Sequence, residues 1–308
     1  MLNSFLIVGT QVFILFLLIG LGFLGGRSKV ITSDGVKCIN DIMLYFVTPC
    51  VIINSFLRPF DYVLLKNLVM AIVAAIMSHM AGILLGLIFI KNKDARKKKV
   101  LRFSVIFSNC GFMAFPLLEA LLGSEGVFYG AGYVAVFNII SWSYGQYIMV
   151  DKNQKFSMKK AVLNTGVISA IIAFIIFVTQ LPIPSVLSTP IGYMAGLNTP
   201  VAMLIIGYTM STIDLKSLLK IKELLHALAL RNIIIPLVML GVLYALGYRG
   251  ILFTACVVSV SAPVAAMTTM FSIKYNADEA LASKMVAVST LFSILSMTLI
   301  VGFAGFIS

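Results

Sequence analysis

Charged side chains are scarce in this chain. Asp, Glu, Lys and Arg make up only 11% of its 308 residues, whereas hydrophobic residues make up 60%. A soluble core of this length does not require such a balance, which excludes an ordinary soluble protein. Because apolar runs recur from one end of the chain to the other, the sequence predicts an all-α polytopic membrane protein.

Cysteine and known catalytic motifs are also lacking. The four cysteines, Cys38, Cys50, Cys110 and Cys256, lie inside apolar runs and have no paired spacing, which argues against a disulfide framework or a zinc site. The sequence contains no His-Glu-x-x-His motif, no paired aspartates and no nucleotide-binding loop. We therefore predict no metal, no cofactor and no enzyme activity.

Ten apolar runs are long enough to cross the roughly 30 Å of a bilayer core, which takes about 20 residues of helix. The predicted spans 1 to 10 are residues 4–25, 36–57, 63–90, 100–122, 127–150, 161–180, 186–210, 224–246, 251–273 and 280–307. The connections between them are short and leave no room for a soluble domain.

Lys and Arg are concentrated in alternate connections, beginning with the one between spans 1 and 2. Arg58, Lys66 and Arg249 are the exceptions among the 23 basic residues, and Arg231 counts with the connection between spans 7 and 8. Since basic loops stay in the cytoplasm, both termini are predicted to face outside the cell. The net charge of +12 therefore indicates topology and contacts with lipid headgroups, not a nucleic-acid partner.

Two spans contain groups that disrupt a helix near its middle. The groups are Ser108, Asn109, Gly111 and Pro116 in span 4, and Ser261, Ala262 and Pro263 in span 9. At about 1.5 Å per residue, Asn109 lies about 14 Å into its span and Ser261 about 15 Å into its own, near the bilayer centre. Interrupted backbone at that depth is tolerated where protein covers it or where it lines a wet cavity, so the pair predicts a binding site.

The two halves of the chain, residues 1–150 and 151–308, carry matching features. Pro49 in span 2 and Pro200 in span 7 each follow a threonine. In the same way, span 4 and span 9 each contain helix-disrupting groups. Five spans per half is an odd number, so we predict two inverted five-helix repeats, with these prolines as further helix breaks. Prolines that only kink a helix for packing are the alternative.

The disrupted spans suit an anion. An unwound helix leaves N–H groups unpaired, and the half-helix that begins there presents a partial positive charge to a carboxylate. No buried Arg or Lys is then required. The candidate substrate-binding residues are Ser108, Asn109, Gly111, Asn138, Ser261, Ala262, Pro263 and Asn54. For Asn109, a hydrogen bond that joins two helices is the alternative.

Ionisable residues inside a membrane are functional candidates. His79, near the middle of span 3, and Glu119, beyond Pro116, are the candidates for proton coupling. A neutral His79 bonded to a neighbouring carbonyl and a solvated Glu119 are the alternatives. Because paired aspartates are missing, the sequence favours movement of an organic anion with protons, or down the membrane potential, over sodium/proton exchange.

Residues 109–118, 138–145 and 261–276 resemble the auxin efflux carrier family, and the resemblance spans the whole chain. The compact bacterial carriers of malonate, malate and related acids are the closer match. The resemblance implies a fold like that of sodium/proton antiporters, in which the broken helices 4 and 9 cross. It also implies a scaffold of spans 1, 2, 6 and 7, often dimeric, against which spans 3 to 5 and 8 to 10 move. Plant members place a proline where Ser108 stands, so the break in span 4 depends here on Asn109, Gly111 and Pro116.

The sequence thus predicts a secondary active transporter of an organic anion in the cell membrane. Its substrate would bind where helices 4 and 9 cross and would move by an elevator-like mechanism in a homodimer. An anion channel and a ligand-sensing membrane receptor that use the same cavity remain as alternatives.

Overall fold

The computed structural model describes residues 2–150, 164–212 and 222–308, and in these residues the named elements are all helices or helical turns. The α-helices are α1 Leu2–Arg27, α2 Ser33–Ile42, α3 Thr48–Phe56, α4 Tyr62–Phe89, α5 Ala95–Ile106, α6 Phe115–Ile140, α7 Gln146–Met149, α8 Thr165–Thr179, α9 Ser185–Gly196, α10 Asn198–Ser211, α11 Lys222–Ala229, α12 Ile235–Ala245, α13 Gly250–Ser261, α14 Met267–Lys274 and α15 Glu279–Ile307. Wider π turns occupy Met43–Val47, Cys110–Ala114, Ser141–Gly145 and Leu230–Ile234.

Within the described ranges, seven helical stretches are long and apolar enough to cross a membrane. They are Val8–Arg27, Ser33–Phe56, Tyr62–Phe89, Cys110–Met149, Ser185–Ser211, Leu224–Ala245 and Glu279–Ile307, and the apolar helices α8 and α13 are shorter. Large apolar side chains on these stretches are exposed, for example Phe13, Leu84 and Leu295 at 62%, 58% and 60%. Such a surface needs lipid around it, so the protein is a multi-span membrane protein.

Four of the predicted spans, namely 4, 5, 6 and 9, differ in outline from these stretches. Cys110–Met149 joins the end of span 4 to span 5, and its backbone turns at Gly123, whose φ of 63° favours glycine. Helices α5 and α13 are the first parts of spans 4 and 9. Span 6 is predicted from residue 161, but residues 161–163 lie outside the described part, and α8 covers the remainder.

Three prolines stand near the start of a helix that follows a π turn, namely Pro49, Pro116 and Pro236. Proline has no N–H, and its ring collides with the carbonyl four residues earlier. A wider turn accommodates the ring, so the helix continues past Pro49 and Pro116. Pro200 lies inside α10, shortly after the single-residue turn at Leu197.

Helices α1 and α10 pack closely against each other. A Cβ on Gly207 would lie 2.0 Å from the carbonyl oxygen of Ile19, and a Cβ on Gly22 would lie 2.4 Å from that of Leu204. Only glycine allows the two backbones to approach so closely. This contact joins the start of the chain to its second half.

Candidate functional site

Two non-helical segments between helices lie side by side. Residues 107–109 separate α5 from the following π turn, and residues 262–266 separate α13 from α14. We call these two segments the crossing. They run antiparallel and are joined by two backbone hydrogen bonds, from Asn109 N–H to Pro263 O at 2.7 Å and from Ala265 N–H to Phe107 O at 3.0 Å.

Polar side chains at the crossing are buried. Asn109 is 5% exposed, and its amide nitrogen Nδ2 has no hydrogen-bond partner within the described structure. The Ser261 hydroxyl is fully buried and also lacks a partner there, and Ser108 is buried beside them. A buried polar group without a partner costs about 1–3 kcal/mol. Side chains kept at that cost indicate a place where a solute or water supplies the missing bond.

A cavity of about 90 Å³ opens beside the crossing. The residues that border it include Asn109, Gly111, Ala265, Thr48 and Asn138. We call it the crossing cavity. Its volume holds several water molecules or a carboxylate group. The structure therefore brings Asn109, Gly111 and Asn138 together around one space.

Gly111 and Asn138 contribute differently to this cavity. A Cβ on Gly111 would meet nothing within 4 Å, so this glycine leaves open space. Asn138 is 8% exposed, and its amide donates to Val134 O of its own helix at 3.0 Å. Gly166 of α8 packs directly against that amide. The amide nitrogen of Asn138 thus has a partner within its own helix.

Ala262 and Pro263 form the second segment of the crossing and are fully buried. The neighbouring Val264 N–H, which has no helical partner, donates to Ser289 Oγ at 2.8 Å. That hydroxyl donates in turn to Oδ1 of Asn232, also at 2.8 Å. A side-chain network from α15 and the π turn before α12 therefore satisfies the unwound backbone.

Asn54 and Glu119 line a different cavity, of about 270 Å³, together with Asn198. Both side chains are exposed. Asn54 also borders a cavity of about 600 Å³ that includes Arg58. The structure therefore does not bring Asn54 and Glu119 into the crossing cavity with Asn109.

His79 packs next to the crossing and is 1% exposed. Its Nδ1 is 2.7 Å from Ala75 O, and since a carbonyl only accepts, Nδ1 carries the hydrogen. Its Nε2 has no partner in the described residues. The ring packs against Phe107 and Tyr133, with centroids 5.7 and 5.5 Å away. His79 therefore contacts the crossing through Phe107 and does not border the crossing cavity.

Arg231 is the site residue that sequence reasoning missed. Its assignment to a cytoplasmic connection is wrong, because the side chain is only 2% exposed. Its guanidinium donates to the carbonyls of Val105, Ile106 and Val260, in the last turns of both α5 and α13. A buried cation therefore lies beside the crossing, and it comes from predicted span 8 and not from spans 4, 5 or 9. The signal was available, since Arg231 lies about 10 Å into predicted span 8.

Non-helical segments that meet deep in a helical membrane protein, beside a cavity partly lined by polar side chains such as Asn109 and Asn138, are the organisation expected of a membrane transporter. The model of the family described as membrane transport protein matches residues 7–301. The chain belongs to this family, the auxin efflux carrier family, and the prediction made from its motifs is confirmed.

Two archaeal proteins are similar along nearly their whole length. The chain is 24% identical over 288 residues to an uncharacterized transporter of Methanothermobacter thermautotrophicus, which covers 92% of this chain and 93% of that protein. It is 24% identical over 301 residues to an uncharacterized transporter of Methanocaldococcus jannaschii, with 94% and 96% covered. The family and these relatives agree with a transporter and not an enzyme.

Proposed function

We propose that this protein is a secondary active transporter of small organic anions and that their carboxylate group binds in the crossing cavity. The observation that carries the proposal is the Asn109 amide, which is buried, borders the cavity and has an unpartnered N–H donor. A carboxylate accepts hydrogen bonds and would fill that vacancy.

The local backbone supports the same ligand. The π turn that begins at Cys110 and the helix α14 that begins at Met267 both start at the crossing. The first turn of a helix exposes unpaired N–H groups and a partial positive charge of about half an elementary charge. Two such starts beside one cavity would favour a negative solute without a basic side chain inside the cavity.

We further propose that the helices form two inverted five-helix repeats, in residues 1–150 and 151–308. Spans 1, 2, 6 and 7 would form the scaffold, and spans 3 to 5 and 8 to 10 would carry the crossing in an elevator-like movement. The close contact between Gly22 and Gly207 supports a rigid pairing of spans 1 and 7. The protein would act as a homodimer in the cell membrane, with both termini outside.

For ion coupling, we propose His79 ahead of Glu119. His79 contacts the crossing through Phe107, and its Nε2 is free to accept a proton among the described residues. Glu119 lines the separate cavity next to Asn54, a position that suits a role on the path of the solute.

Uptake into liposomes that contain the purified protein tests the proposal. We expect saturable uptake of at least one labelled mono- or dicarboxylate, with exchange against unlabelled solute, when pH and voltage gradients are imposed separately. Conductance that neither saturates nor shows exchange would indicate the anion channel instead. Binding without any movement of solute would indicate the ligand-sensing receptor.

A further inference from the structure

The buried guanidinium of Arg231 joins the two interrupted spans. Its Nη1 lies 3.3 Å from Val105 O and 3.2 Å from Ile106 O at the end of α5, and its Nη2 donates to Val260 O at the end of α13. One side chain therefore holds the carboxyl ends of both helices. The segments that begin at Cys110 and Met267 follow these ends along the chain, after the crossing.

No Asp or Glu of the described residues forms an ion pair with Arg231. A buried cation is expensive unless other groups compensate its charge. The carboxyl end of a helix carries about half a negative elementary charge, so the ends of α5 and α13 together supply about one. The guanidinium and the two helix ends therefore neutralise each other.

This cancellation leaves the amino-terminal starts at Cys110 and Met267 without compensation. Their partial positive charges also sum to about one elementary charge, and they border the crossing cavity. Without the guanidinium, the negative ends of α5 and α13 would act on the same solute and offset that attraction. The preference of the site for an anion would then depend on a side chain outside the cavity.

We propose that Arg231 is a positioning residue that fixes the carboxyl ends of α5 and α13 together and cancels their negative charge, so that the crossing cavity attracts anions. The predicted effect of Arg231 on transport rests on the proposed function. Its predicted effect on the geometry of the crossing is independent of that function.

Three variants separate charge from hydrogen bonding. Arg231→Gln keeps a side-chain donor but removes the charge, and Arg231→Lys keeps the charge with fewer donors. Arg249→Gln is the matched control, because Arg249 is exposed and donates to the carbonyls of Tyr244 and Tyr248 at 2.7 and 2.6 Å, away from the crossing.

The first measurement is KM for a monocarboxylate and a dicarboxylate at a pH where both are fully ionised. We expect Arg231→Gln to raise KM for the monocarboxylate about tenfold and for the dicarboxylate by a larger factor, because the second carboxylate, although farther away, adds to the Coulomb energy. Arg231→Lys should stay within about threefold, and Arg249→Gln should match the wild type. Equal factors for both solutes, or an equal loss in Arg231→Lys, would overturn the charge role.

The second measurement needs no substrate. Cys110 is 1% exposed and directly follows the crossing, so in a chain that carries Cys38→Ser, Cys50→Ser and Cys256→Ser its alkylation rate by a maleimide reports on the crossing. We expect Arg231→Gln to raise this rate at least about tenfold and Arg231→Lys to change it little.

An unchanged Cys110 rate in folded Arg231→Gln protein would refute the positioning role. If the wild type transports no carboxylate while Arg231→Gln still exposes Cys110, the proposed function fails and the positioning role stands. If Arg231→Gln does not accumulate as folded protein, the test depends on Arg231→Lys. A KM for folded Arg231→Lys more than about tenfold above the wild-type value would contradict the proposal.

Discussion

Glycine has opposite effects at the contact of α1 with α10 and at the crossing. At the first, Gly207 lets two backbones touch, and a Cβ there would lie 2.0 Å from Ile19 O. At the second, Gly111 borders a cavity, and a Cβ there would meet nothing within 4 Å. The first region is filled by its own backbone, whereas the second keeps space and an unpartnered Asn109 amide. We therefore expect substitutions in the first region to change stability and substitutions in the second to change the proposed solute binding.

The largest effect is expected from Gly207→Ala. The new methyl group would collide with a backbone carbonyl of α1, which cannot move aside as a flexible side chain can. We expect a loss of about 3 kcal/mol or more in folding free energy, seen as a poor monodisperse yield and a lower melting temperature in detergent. A wild-type melting temperature would show that the contact between α1 and α10 is looser than described.

Asn109→Ala should have the next largest effect, and only on transport. Removing a buried donor that lacks a partner costs the fold little, whereas a carboxylate loses its hydrogen bond at the site. We expect uptake to be abolished at an unchanged melting temperature, measured on the same liposome preparation. Saturable uptake at the wild-type rate would remove Asn109 from the site.

Pro263→Ala should weaken anion binding. Alanine restores an N–H and permits residues 262–266 to become helical, which would close the unwound backbone at the crossing. We expect an increase in KM of about tenfold, with maximal uptake less affected. Pro190→Ala is the control, because Pro190 lies inside α9, outside the crossing. Tighter binding in Pro263→Ala would contradict an anion site at this break.

His79→Gln should change the pH dependence of transport more than its rate. Glutamine keeps a donor that can reach Ala75 O but cannot take up a proton near neutral pH. If His79 carries the coupled proton, uptake should become nearly independent of the imposed pH gradient. Glu119→Gln is the comparison variant. An unchanged pH profile in His79→Gln would show that His79 does not carry the coupled proton.

The smallest effect is expected from Gly111→Ala, which completes the comparison with Gly207→Ala. The added methyl group enters open space, so the melting temperature should match the wild type. Uptake of a small carboxylate should stay within about twofold, with bulkier solutes affected more because the cavity is only about 90 Å³. A large loss of folded protein would show that position 111 requires the backbone conformation of glycine, and that open space in the cavity is not the reason for this residue.

The coarse fold could be predicted from composition because lipid imposes a simple rule. Long apolar helices such as Tyr62–Phe89 are visible as hydrophobic runs, and the motifs around Asn109 and Pro263 identify the family. The ten-span inverted repeat and the two-domain division remain predictions.

Contacts between distant parts of the chain were not readable from the sequence. The bonds from Arg231 to Val105 and Ile106 join residues more than 100 positions apart, and loop counting placed this arginine in the cytoplasm. Depth alone also could not tell that Asn54 and Glu119 line another cavity, because residues at a given depth can face different sides of a helix.

The bond from Asn109 N–H to Pro263 O and its companion from Ala265 N–H to Phe107 O tie the two unwound segments into one piece. In hydrocarbon neither segment finds water to replace these bonds, so separating them would be costly. We therefore expect the two segments to move as one rigid unit in any displacement of the crossing, so that a solute bound there would be carried by both halves of the chain at once.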